Sequence, residues 1–289
     1  MTPDVPDSHA RTVTLDEDTE IYLVENQPLE DLLFNRQLVG IEFRQACLRS
    51  TQLFLRHILE ELTSYPVAEL MILSKGLVYQ LGEAFARETG RNLPTNLVAT
   101  TRVGVEGETA KIDVPYTRFD AEGDRLVVGD TVASGSTLIA ALDEYRLHHS
   151  LSHVYLLSYA GSALGAKTVM RYCRAHEVEL LIMYGLAAFG LGENGFDLSF
   201  LHPDTVTSPK YVERARALYH DRQVSAVGWD FGSQMMAPDK YKRLSWVESR
   251  LLGVDEEIFG GVIPISGAEE VWREQDAFKA RSGELWPET

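Results

Sequence analysis

Cysteine is scarce. Cys47 and Cys173 are the only two in 289 residues, and both fall in apolar helical patterns. Buried free thiols are expected, and no disulfide framework is indicated. No Cys/His set has zinc spacing. Positive charge is also short, with 27 Lys and Arg against 43 Asp and Glu, for a net −16. Such a chain is a poor general binder of nucleic acid, whose phosphate backbone demands clustered cations. Small anions remain eligible if the few cations converge on one place. No apolar run reaches membrane-spanning length, and the first residues are acidic and polar rather than apolar. A cytoplasmic enzyme with no nucleic-acid or membrane partner is the expected class. Internal repeats are lacking.

What is present is an alternation of short apolar runs and helical patterns. Glu69–Leu73, Asn96–Thr100, Leu126–Val128, His153–Ser158 and Val178–Met183 read as strands, with helices over Leu77–Glu88, Leu138–Leu142 and Gly165–His176. Strands alternating with helices imply an α/β fold, a parallel sheet with helices on both faces. Phe34–Leu62 reads as a long amphipathic helix, broken near Gly40, packed on the sheet or on a partner copy; a homodimer is expected. Residues 1–20 read as a loose arm, 21–205 as the α/β domain and 206–289 as a helical C-terminal extension. That extension holds helical stretches at Tyr211–Tyr219 and Tyr241–Leu252. Trp229, Trp246, Trp272 and Trp286 there suit core or interface anchors. Its Asp230-Phe231-Gly232 has no accompanying kinase motifs and carries no such meaning.

The most informative stretch is Arg125–Leu138. A strand ends at Gly129-Asp130, followed by Thr131-Val132-Ala133-Ser134-Gly135-Ser136-Thr137 and a helical apolar face. A small-residue turn opening a helix suits a phosphate group. The first helical N–H groups lack internal partners, the dipole is positive there, and the hydroxyls add donors. The plainer reading, an N-cap at Ser136 or Thr137, would need only one such residue. Two further turns follow strand ends: Ser74-Lys75-Gly76 and Tyr159-Ala160-Gly161-Ser162-Ala163. In parallel sheets, ligands bind at the carboxyl ends of strands, so the three turns point to one site.

These residues resemble the phosphoribosyl-pyrophosphate (PRPP) loop of type I phosphoribosyltransferases. Asp130 matches the second of that loop's two acids, and Ser134-Gly135-Ser136-Thr137 matches its phosphate turn. The layout is similar to that of the uracil-specific branch. The resemblance implies a flexible flap over Thr101–Thr109 and a hood over Ala187–Asp197, where Gly192, Glu193 and Asp197 fall near that branch's glycine-rich segment. It implies PRPP and a small, pyrimidine-like acceptor as substrates, with Mg²⁺ as cofactor. By the same resemblance, Ala133–Thr137 hold the 5′-phosphate, Thr131 also binds substrate, and Asp130 takes ribose hydroxyls and the metal. Lys75, Gly76 and Arg102 receive pyrophosphate. Gly161, Gly192, Glu193 and Asp197 border the acceptor. Asp130 and Arg102 are the candidate catalytic residues.

Two departures stand out. Gly129 replaces the first acid, and Phe196 falls where the hood's second acid would be. Three readings follow for Gly129: Asp130 suffices, the donor is a different ribosyl phosphate, or the protein binds its ligand without turnover, as a regulator. An enzyme sharing only the phosphate turn, acting on nucleosides or sugar phosphates, is a further alternative.

Overall fold

The structure is a computed structural model. It describes residues 8–103, 111–193, 195–219, 221, 223–227, 231–239 and 241–242. Within these, β1 (His9–Asp16) and β2 (Thr19–Glu25) precede α1 (Gln27–Phe34), α2 (Gly40–His57) and α3 (Leu59–Ser64). Next come β3 (Ala68–Leu73), a 3₁₀ turn (Lys75–Val78), α4 (Leu81–Thr89), β4 (Thr95–Val103) and β5 (Lys111–Arg118). Then follow β6 (Arg125–Gly129), α5 (Ser136–Arg146), β7 (His153–Ser158), β8 (Gly161–Ser162), α6 (Ala163–Ala175) and β9 (Glu179–Gly185). The last elements are β10 (Ala187–Leu191), β11 (Leu198–Ser199), β12 (Val206–Thr207), α7 (Pro209–Tyr219) and α8 (Phe231–Met236).

Eight strands form one sheet in the order β1-β2-β9-β7-β6-β3-β4-β5. The inner pairings are parallel; β1 and β5 close the two edges in antiparallel pairs. The central strands are apolar throughout because both faces are covered. Leu126 and Val128 of β6 point into one core with α5 and α6, and Val127 points into the other, with α1, α2, α4 and α7. A smaller sheet, β11-β10-β12 with β8 beside β10, sits over the carboxyl ends.

Four expectations need correcting. The loose arm is ordered from His9 onward as β1; among its residues only Val13 is buried, so no apolar period announces the strand. The helix over Phe34–Leu62 breaks before Gly40, as expected, but breaks a second time at Ile58, where α2 ends and α3 begins. The helix expected from Leu77 starts at Leu81 because Gln80 is left-handed (φ 50°). Its side chain instead exchanges hydrogen bonds with Arg44 of α2, at 2.8 and 3.1 Å. The boundary at 205/206 falls inside packed structure. β12 pairs with β10, and Tyr211, Ala215 and Tyr219 of α7 belong to the main core. Trp229, Trp246, Trp272, Trp286, most of Tyr241–Leu252 and the flap's Gly104 and Gly107 lie outside the described residues.

Glu69, in mid-sheet, is 1% exposed. Its Oε2 accepts from the Thr95 hydroxyl at 3.1 Å, while Oε1 has no partner among the described residues. Burial pushes its carboxyl up from 4.5 to about 7. The native state therefore holds a proton that the unfolded chain releases from pH 4.5 upward, so stability falls as pH rises towards 7, by about 3 kcal/mol. Glu69→Gln is expected to flatten that fall, raising the denaturation midpoint at pH 8 and leaving it unchanged at pH 4. Parallel pH profiles for the two proteins would refute this.

Candidate functional site

A cavity of about 570 Å³ opens at the carboxyl ends of β3, β4 and β6. One side is the turn between β6 and α5, whose Thr131–Thr137 all line it. Gly135 caps α5 with φ 83°, a left-handed conformation that favours glycine, and Val169 Cγ2 lies only 2.8 Å from where its Cβ would be. Ser136 and Thr137 thus lie inside the helix and do not serve as its N-cap. Among the described residues, Ser134 reaches the Ser136 N–H, at 3.4 Å, and the Ser136 hydroxyl, at 3.0 Å. The turn thus places unpaired helix N–H groups and the Ser134, Ser136 and Thr137 hydroxyls beside the cavity.

The turn is braced from below. Val132 N–H donates to Ala160 O, and Ser162 N–H donates to Val132 O. Ser162, the N-cap of α6, donates its hydroxyl to Ala133 O and accepts from Gly165 N–H at 2.7 Å. These contacts explain Gly161 and Gly165. A Cβ on Gly161 would lie 2.2 Å from the Tyr184 ring, and one on Gly165 would lie 2.4 Å from Ala133 O.

Asp130 is 4% exposed and lines the cavity. Burial pushes its carboxyl up to about 6, against the pull of Lys75, the Thr131 N–H and Arg102. The Thr131 N–H donates to Oδ1 at 2.9 Å. Lys75 and Arg102, from two other strand ends, are thus the cations that act on this one carboxylate. Lys75 sits on the 3₁₀ turn, after a cis peptide between Leu73 and Ser74. Arg102 reaches over the Phe196 ring, 4.7 Å from its centroid, so the flap strand meets the hood at the cavity mouth.

Gly129 has a steric cause. A Cβ there would lie 2.5 Å from Tyr79 Cγ and 2.6 Å from Tyr79 Cβ. Tyr79 is buried, stacked on Tyr159 at 4.1 Å, and its hydroxyl accepts from the Tyr159 N–H at 3.1 Å. The Thr51 hydroxyl donates to its carbonyl at 2.7 Å. Burial and the nearby Asp130 carboxylate push its phenol up, so it stays neutral.

Lys75, Arg102, Asp130, Thr131, Ala133–Thr137 and Asp197 line the cavity, whereas Gly76, Gly161, Gly192 and Glu193 do not. Gly76 is buried against Met71, and Gly161 braces the phosphate turn. Gly192 N–H turns back to Asp197 O at 2.9 Å, and Glu193 is exposed. The opposite wall comes from residues the sequence reading left unassigned: Ser225, Val227 and Phe231. The Arg36 guanidinium, itself buried, donates to Ser225 O, and Phe231 packs on Phe43 and Tyr159. No apolar period marks this wall in the sequence.

Asp130 and Asp197 are the carboxylates on the cavity surface, and the described residues contain no cluster of three or more His, Cys, Asp or Glu side chains suited to a metal. This donor set fits a hard cation that is held mainly by substrate oxygens and touches one protein carboxylate.

No protein-family model matches the chain, and no curated protein does. Solved structures of similar shape include a protein from Aquifex aeolicus, with 17% identity, 61% of this chain and 95% of that one covered, and a TM-score of 0.46. They also include the adenine phosphoribosyltransferase of Trypanosoma brucei, at 14% identity, covering 71% and 99% of the two chains, with a TM-score of 0.43. The orotate phosphoribosyltransferase of Aeropyrum pernix matches at 16% identity over 56% and 78%, with a TM-score of 0.34. The two named enzymes are an adenine and an orotate enzyme, not uracil ones.

Proposed function

We propose that this protein transfers ribose 5-phosphate from PRPP to a small nitrogen-containing acceptor and releases pyrophosphate. The observation that carries the reading is the convergence, in one cavity, of a phosphate turn, one buried carboxylate and two cations acting on it. The turn's N–H groups and hydroxyls bind the 5′-phosphate. Asp130 accepts a ribose hydroxyl and, once ionised, steadies positive charge at the anomeric carbon. Lys75 and Arg102 neutralise the departing diphosphate, with Arg102 offering a planar fork suited to phosphate oxygens. Such pre-aimed charge does most of the work when the leaving group is already good. Mg²⁺, carried by the diphosphate and touching Asp130, would supply further neutralisation of the leaving group. The acceptor sits against Phe231, Val227 and the hood, where the aromatic wall excludes water.

The test is titration calorimetry with PRPP and Mg²⁺, followed by pyrophosphate release across a panel of purine, pyrimidine and other heteroaromatic acceptors. Binding with release for at least one acceptor is the expected result. Binding with no release for any would favour a ligand-sensing regulator, the reading that the single carboxylate beside Gly129 supports. No binding of PRPP would sink both.

A further inference from the structure

Phe196 is 56% exposed and stands at the cavity, beside Lys75, Arg102 and the phosphate turn. So open a ring contributes little burial; what it offers is its face. Its backbone is held by the turn that joins β10 to β11. Leu191 pairs with Leu198, Gly192 N–H donates to Asp197 O at 2.9 Å, and Gly195 N–H donates to Gly192 O at 2.9 Å. Over the ring lies the Arg102 guanidinium, its carbon 4.7 Å from the centroid.

Arg102 belongs to the exposed end of β4, with Thr101 and Val103 on either side. Among the described residues its guanidinium makes no hydrogen bond or ion pair. A long side chain in such a place samples many rotamers, and fixing one of them on a ligand is a cost of binding. A ring face removes much of that freedom beforehand. It does so without using donors, because a guanidinium lying over a ring keeps the N–H groups along its edges. A carboxylate at position 196 would also hold the arginine. It would do so through the same N–H groups that a diphosphate needs, and it would cancel their charge.

We propose, resting on the transfer reading given above, that Phe196 is a positioning residue: its ring holds the Arg102 guanidinium at the cavity mouth with its N–H groups open to the diphosphate. Its contribution is to the binding of the leaving group, and it is made through Arg102.

The experiment is titration calorimetry on the full chain, with inorganic pyrophosphate and Mg²⁺ as one probe and ribose 5-phosphate as the other. Phe196→Leu keeps apolar bulk and loses the ring face. It is expected to weaken pyrophosphate by about fivefold and to leave ribose 5-phosphate within twofold of the parent. Phe196→Tyr keeps the face and is expected to bind pyrophosphate within twofold of the parent. In an Arg102→Ala background, Phe196→Leu is expected to have no further effect. A leucine variant that binds pyrophosphate as the parent does overturns the proposal, and so does a tyrosine variant as weak as leucine. A further loss in the Arg102→Ala background would show that Phe196 does not act through Arg102, and overturns it as well. Each of these results leaves the transfer reading standing. If the parent protein does not bind pyrophosphate at all, that reading falls and takes this one with it.

Discussion

Asp130→Asn is expected to lower pyrophosphate release by about 10²–10³-fold while leaving the protein as stable as the parent, or more so. Both halves follow from burial. In the proposed transfer the carboxylate is the charge that meets the sugar, and an amide cannot replace a negative charge at a developing cation. Yet that same charge is costly to the folded state. Burial lifts it from 3.8 to about 6, so between those values the native protein holds a proton that the unfolded chain has released. Stability therefore falls as pH rises through this window, by about 3 kcal/mol in all. Asparagine can keep the bond from the Thr131 N–H and carries no charge to bury. Release measured from pH 5 to 8 should rise through about 6 in the parent and lose that limb in the variant. Urea melts at pH 7.5 should show no loss of midpoint. A variant that is both inactive and unstable would mean that Asp130 is a structural residue.

Gly165→Ala is expected to cost about 3 kcal/mol or more, and to lower the melting temperature by about 6–12 °C. The new methyl group would lie 2.4 Å from Ala133 O and 2.7 Å from Val132 Cγ1. The first of these is backbone and has no rotamer to give. Relief must come from moving α6 away from the phosphate turn, which strains the Ser162 bridge to Ala133 O. Affinity for ribose 5-phosphate should fall by about tenfold as well, since a small misplacement of a binding loop is expensive. An unchanged affinity in a destabilised variant would show that the turn keeps its shape without α6.

The parts of the molecule that were legible in the sequence are those where one physical demand dominates. Leu126–Val128 must be apolar on both faces, and a turn that admits a phosphate must be small and rich in donors, so both could be read directly. β1 could not, because an edge strand with one buried side chain has no apolar pattern. β10 has no strand signal in the glycine-rich stretch Ala187–Asp197, yet Gly190 is there for His202. A Cβ would lie 1.8 Å from that imidazole. Tyr79 sat in a stretch read as ordinary helix. Its signal was present one element away, in the glycine at a strand end where an acid was expected. The wall of Ser225, Val227 and Phe231 depends on Arg36, 189 residues before Ser225, a contact that no local pattern encodes.

The antiparallel strands at both margins of the main sheet bear on how copies of this chain can meet. An exposed strand edge invites another chain to add a strand. Here β1 carries an irregularity between Thr14 and Asp16, with Arg11 paired to Glu25 and Asp16 paired to Lys167. At the other margin, β5 has Pro115, which lacks an N–H to offer, among Lys111, Asp113 and Arg118. Neither margin is a clean template for fibre-like growth. Strand addition at either described margin is thereby disfavoured, which leaves side-chain contacts rather than shared backbone hydrogen bonds as the route by which copies of this chain could meet.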